Sequence, residues 1–192
     1  MVQYIDEDYW SELFDHGVDV INNEDYKMSI GYERRGQKVV YINVKKKIPV
    51  IPGDTVFMKI VYPKKSKTKT KIKFPKVPSS LIYLEIEGSP DKKIPKLNSE
   101  LLTLYITRWN NLKTINDISY IKKLEEIFLR NCEKFEKINS FNLPARLEYL
   151  SVINPGLPYY ELTKPVYIDK LDFKFENLDG AILSKKKLIM DL

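Results

Sequence analysis

Apolar residues recur along this chain with one spacing: an anchor, two variable positions, a second anchor, one variable position, a third anchor. The spacing occurs at Leu81, Leu84 and Ile86, again at Leu101, Leu104 and Ile106, and again at Leu124, Ile127 and Leu129. Leu147, Leu150 and Val152, then Ile168, Leu171 and Phe173, complete the series. First anchors follow one another after 20, 23, 23 and 21 residues. A sustained period of this size marks a solenoid, in which each unit buries its apolar face against the next. Within a unit the second and third anchors alternate with polar or aromatic residues, as in a short strand with one face inward. Five parallel strands are therefore predicted, centred near Leu84, Leu104, Ile127, Leu150 and Leu171. The linkers, such as 114–123 and 136–146, are too short for long helices, so loops and single turns are expected there.

The residues ahead of the array read differently. Ile5, Tyr9, Trp10, Leu13 and Phe14 have helical spacing, with Asp6 and Asp8 placed early where the helix dipole favours acids. Tyr26–Tyr32 and Lys38–Val44 are β-rich runs about the turn-forming stretch 33–37, which predicts a hairpin. Pro52, Gly53 and Asp54 make a turn into a further strand over 56–62. Val39, Ile42 and Val44, and Phe57, Ile60 and Tyr62, imitate the repeat spacing; an antiparallel cap is favoured over degenerate repeats for this region. The organisation expected is a helix and β-rich basic cap over 1–78, repeats over 79–180, and a C-terminal cap or tail over 181–192.

Downstream of the anchors the units also align. Trp109, Leu112 and Ile115 follow the second unit at the spacing with which Cys132, Phe135 and Ile138 follow the third. Cys132 falls on the Asn/Cys position of the pattern L-x-x-L-x-L-x-x-N/C, and residues 124–138 resemble the irregular leucine-rich repeats of bacterial, plant-receptor and giant-virus proteins. The resemblance implies an α/β or mainly β fold: a short leucine-rich-type solenoid with a parallel sheet and a β-rich N-terminal cap. It also implies protein–protein interaction through the concave sheet. Ser89, Pro155 and Glu176 depart from the pattern at the Asn/Cys position, and Asn154 and Asn177 stand one place off it. The asparagine ladder of regular repeats is thus degraded, and uneven curvature is expected.

Composition narrows the class. A 43% hydrophobic share is enough for a packed core and argues against global disorder. No stretch approaches the roughly 18 apolar residues of a membrane span, and residues 1–8 show no secretory pattern. With Cys132 the single cysteine, no internal disulfide can form. An intracellular location is expected, or a virion if the source is viral. Lysine supplies 27 of 32 basic residues and alanine occurs twice, a usage that fits an AT-rich genome such as a large DNA virus, a protist or a low-GC bacterium. The net charge of +6 hides segregation: residues 1–37 carry −6 and residues 38–76 carry +11. Such neighbours either neutralise each other or present one charged surface.

Candidate chemistry is sparse. His16, the single histidine, precedes Gly17 at an expected helix end and reads as a cap or surface residue. The repeat register accounts for Cys132 without a nucleophilic or metal role. Single scattered glycines build no phosphate loop, and Glu85, Glu87, Glu125 and Glu126 read as solvated charge on strands. An enzyme is not expected, nor a cofactor or a metal site. Lys64, Lys65, Lys67, Lys69, Lys71 and Lys73 offer a possible anion-binding run that supports an alternative, non-specific nucleic-acid binding through 38–76. Against it, the run lacks arginine for base readout and aromatics for stacking. The register puts Tyr83, Tyr105, Phe128, Arg130 and Tyr149 together on the sheet face away from the anchors. They are expected to face solvent there as a partner-binding patch, since exposed aromatics beside arginine make binding hot spots. The identity of the protein partner is not written in the sequence.

Overall fold

The apolar triplets each end in a strand. A computed structural model describes residues 16–63, 72–135, 142–144, 146–153 and 167–174. These form one mainly β sheet of nine strands lying side by side in sequence order. The first four are β1 (His16–Asn22), β2 (Tyr26–Tyr32), β3 (Lys38–Val44) and β4 (Thr55–Val61). The repeats supply β5 (Tyr83–Glu87), β6 (Thr103–Thr107), β7 (Glu126–Arg130), β8 (Arg146–Ile153) and β9 (Tyr167–Lys174). All five pair in parallel, with Leu84, Leu104, Ile127, Leu150 and Leu171 in one column. The described residues contain no α-helix, and none of their elements is a helix long and apolar enough to cross a membrane. His16 opens β1 instead of closing a helix; residues 5–14 and 181–192, read above as a helix and a cap or tail, lie outside the described residues.

The hairpin forms where its pattern puts it. Gly36 adopts a left-handed φ of 74°, its N–H donates to the Glu33 carbonyl at 2.8 Å, and the Glu33 carboxylate accepts from the Arg35 and Gln37 amides. Antiparallel pairing ends at β3, because β3 pairs with β4, and β4 with β5, in parallel. The antiparallel cap expected over 38–62 is therefore corrected: these residues give two further rungs of the solenoid. The reason is register. Ile42 pairs with Ile60 and Ile60 with Ile86, so the matches beginning at Val39 and Phe57 stand two residues out of step. The true anchors are Val40 and Ile42, then Met58 and Ile60, all fully buried. A buried threonine, Thr55, takes the place that Leu81 holds in the next unit and disguises the pattern.

Behind the sheet, Trp109, Leu112, Ile115, Ile118, Ile121, Cys132, Phe135 and Leu143 close one continuous core against the strand anchors. Each of the linkers after β5, β6 and β7 therefore returns, in its described residues, on the anchor side. It leaves its strand through a left-handed corner at Gly88, Arg108 and Asn131, with φ of 69°, 53° and 52°. The Gly88 N–H donates to Thr107 and the Arg108 N–H to Arg130, both at 2.9 Å, tying each corner to the next rung. At the Asn/Cys position, Trp109 donates its indole N–H to the Asp91 carbonyl at 2.6 Å, and the Cys132 thiol donates to the Arg130 carbonyl at 3.4 Å. Asparagines further along the linkers span the rungs instead. Asn116 accepts from the Ile94 amide at 2.7 Å and donates to the Ile94 carbonyl, while Asn142 donates to Ile115 at 2.6 Å.

Candidate protein-binding face

Because side chains alternate along a strand, burying the anchors fixes what lies on the other face. Phe57, Tyr83, Thr103, Glu126 and Tyr149 form one column across the parallel strands. Tyr41, Lys59, Glu85, Tyr105, Phe128 and Ser151 form the next, and Val61, Glu87, Thr107, Arg130 and Ile153 the third. The aromatics meet as the register predicts. Tyr105 and Phe128 stack at 5.3 Å between ring centroids, Phe128 meets Tyr149 at 5.1 Å, and Phe57 meets Tyr83 at 6.2 Å. The Arg130 guanidinium lies 5.6 Å from the centre of the Tyr105 ring, within cation–π range. All five candidate partner-binding residues thus share this face.

Their exposure differs from the expectation. Tyr83, Tyr105 and Phe128 are only 3, 6 and 8% exposed, and with Val39 they form a second hydrophobic cluster separate from the main core. The expectation of solvent-facing aromatics is corrected: the face is the expected one, but its central rings are buried.

Of the four glutamates read above as solvated, Glu125 is exposed and Glu126 half-buried, but the expectation for Glu85 and Glu87 is corrected. Glu85 and Glu87 are buried, and the buried Lys59 ammonium sits 2.9 Å from the Glu85 carboxylate and 3.9 Å from that of Glu87. Arg108 pairs with Glu87 from the corner after β6. Lys59 also lies 5.8 Å from the Tyr41 ring centre. Thr103 donates its hydroxyl to Glu126 at 3.0 Å, and burial holds the Glu126 carboxyl above the usual glutamate range. The sequence reading missed Lys59, Phe57 and the Glu87–Arg108 pair. Carrying the repeat register back through Thr55, Met58 and Ile60 would have placed the first two on this face.

Among the described residues of the basic region, Lys38, Lys45, Lys46 and Lys47 are engaged away from this face. Lys46 pairs with Glu24 at 2.6 Å, Lys47 with Asp25 at 2.9 Å, and Lys38 with Asp54 at 2.6 Å. Hydrogen bonds to these carboxylates raise all three ammonium pKa values. Lys45 donates to the Asn22 side chain at 2.9 Å and to the Asn23 carbonyl at 2.6 Å. Lys73 is exposed, whereas Lys64, Lys65, Lys67, Lys69 and Lys71 lie outside the described residues. Among the described residues, no group of three or more His, Cys, Asp or Glu side chains is placed to hold a metal. Burial pushes the Cys132 thiol up to about 11.

No family model, no curated protein and no solved structure matches this chain.

Proposed function

We propose that this chain is a leucine-rich-type solenoid that works as a protein–protein interaction scaffold, using the sheet face opposite its core. One observation supports this reading above the others: the stacked row of Tyr105, Phe128 and Tyr149 with Arg130 beside it, on a face that the solenoid does not need to close its core. Rigid rings with few rotamers to lose, flanked by arginine, are the groups that dominate binding energy in protein interfaces. The leucine-rich assignment rests on the five anchor triplets and on Cys132 at the Asn/Cys position. An intracellular setting is part of the proposal, with an assembly or capsid role if the genome is viral. Non-specific nucleic-acid binding through 38–76 is less favoured, because Lys45, Lys46 and Lys47 are already engaged by the loop between β1 and β2.

The test is affinity capture from native lysate with variants that spare the fold. Phe128→Leu keeps an apolar side chain but removes the ring, and Arg130→Gln removes the cation. A partner captured by the wild type should be weakened about tenfold by each, corresponding to ~1.4 kcal/mol at a hot spot. Capture unchanged by both variants, yet lost when Lys67, Lys69, Lys71 and Lys73 become glutamine, would move the site to the basic region.

A further inference from the structure

We propose that β1 is a pairing edge through which two copies of this chain join, strand against strand, into one continuous sheet. β1 lies several strands away from Tyr105 and Phe128, and pairing there does not depend on what binds those rings. Val18, Val20 and Ile21 of β1 are 42, 54 and 42% exposed, and Tyr32 on the adjoining strand is exposed as well. Exposed large apolar side chains thus gather at one end of the sheet. They come from both faces of β1, since Val20 and Ile21 are neighbours in the strand. β1 stands last in the strand order, with β2 its one neighbour among the described residues. Folded proteins ordinarily blunt such an edge with charge, above all lysine, or with proline. The sequence of β1, HGVDVIN, has neither lysine nor proline and a single acid, Asp19. In sequence β9, at the opposite end, differs: it includes Asp169, Lys170, Asp172 and Lys174.

The backbone of β1 has the phase that pairing needs. The Asn23 N–H donates to the Tyr26 carbonyl at 3.0 Å where β1 turns into β2. Hydrogen-bonded and non-hydrogen-bonded pairs alternate along an antiparallel ladder, so Ile21 bonds to Met28 and Asp19 to Ile30. Val20 and Asn22 then aim their N–H and C=O groups outward, away from β2. The second hairpin agrees. There the Glu33 N–H donates to the Gln37 carbonyl, which sets Ser29 and Gly31 toward β3 and leaves Met28 and Ile30 for β1. A second copy fits this edge because the strand complements itself. A two-fold axis at Val20 sets Val20 opposite its own copy, Asp19 opposite Ile21 and Val18 opposite Asn22. Val20 exchanges both backbone hydrogen bonds with its counterpart, and the two exposed valines shield each other from water. An axis at Asp19 would keep the backbone phase but set two carboxylates face to face, which is destabilising. Asp19 therefore selects the register. The bulge between His16 and Asp19 ends the regular stretch, so the shared ladder is short and the dimer depends on concentration.

Sedimentation equilibrium of the full chain tests this without any other protein. The wild type should pass from monomer to dimer as its concentration rises. Val20→Lys puts two cations on the axis and should leave the chain monomeric throughout, with buried Cys132 still shielded from thiol reagent as the sign of an intact fold. If that variant leaves Cys132 reactive, Val20→Pro gives the same reading, because it removes only an N–H that faces away from β2. Val20→Cys tests the register. Its sulfur atoms should link two copies under mild oxidation, since bonded antiparallel pairs stand ~5.5 Å apart at Cα, within disulfide reach. Asn22→Cys should not link, because its counterpart lies four residues along the strand, ~13 Å away. A wild type that stays monomeric at its highest concentration would overturn the proposal, as would a dimer that persists in folded Val20→Lys. So would a monomeric wild type whose captured partner is lost with Val20→Lys, which gives the edge to another protein's strand.

Discussion

Lys59, Glu85 and Cys132 show how a residue's type misleads until its register is known. A lysine between Met58 and Ile60 and a glutamate between Leu84 and Ile86 look like solvated strand decoration. In the fold they lie side by side and are both nearly inaccessible. A buried ion pair that loses one member leaves an unpaired charge, at a cost of about 3–5 kcal/mol. Lys59→Met should lower the urea midpoint accordingly, and adding Glu85→Leu should recover much of the loss; an additive double variant would show that the pair is not coupled. Cys132 carries a thiol pushed up to about 11 by burial, so it should not react with a thiol reagent at neutral pH until the chain is unfolded. Glu126 gives a pH signature. Burial raises its pKa in the fold, so the folded state holds the extra proton and stability falls as pH rises above the ordinary glutamate value. Glu126→Gln should be more stable than the wild type at neutral pH, with the difference vanishing in acid; a difference that grows in acid would contradict this.

At the scale of strands and linkers, much of the molecule was legible because five triplets share one period. Matching anchors in successive units fixes parallel strands, their register and the residues that share each face. The anchors carry the stability of those units. Ile127 is fully buried in the middle of the array, and Ile127→Ala should cost roughly 2–5 kcal/mol in denaturant unfolding. A cost below about 1 kcal/mol would fall outside what burial there demands. The rungs over 38–62 were misread because the alternating runs of β3 and β4 complete an apolar triplet only in the wrong register, with Thr55 at the first anchor of β4's true one, and pairing between strands, not periodicity, decides which is used. The bonds between linkers were hidden for another reason. Asparagine is common in loops, and nothing local marks Asn116 as the residue that closes on Ile94. Asn116→Ala should leave both Ile94 backbone groups without that partner and cost about 1–3 kcal/mol.

For the molecule as a whole, ion pairs join the segregated charges, and a buried aromatic face replaces the solvent-facing one that was expected. The acidic start and the basic middle meet at Lys46–Glu24 and Lys47–Asp25, so part of the positive charge is spent within the chain. The solenoid places aromatic and charged groups on the side it does not need for its core, which makes that side the candidate for recognition. The burial of that side could not be read in advance, since a strand pattern tells which residues share a face but not how much solvent they meet. The most direct measurement is the affinity of a captured partner for wild-type, Phe128→Leu and Lys67/Lys69/Lys71/Lys73→Gln chains at two salt concentrations. Binding about tenfold weaker for Phe128→Leu, close to wild type for the lysine variant and little changed by salt, is the expected result. Binding indifferent to Phe128, abolished by the lysine changes and falling steeply with salt would contradict it.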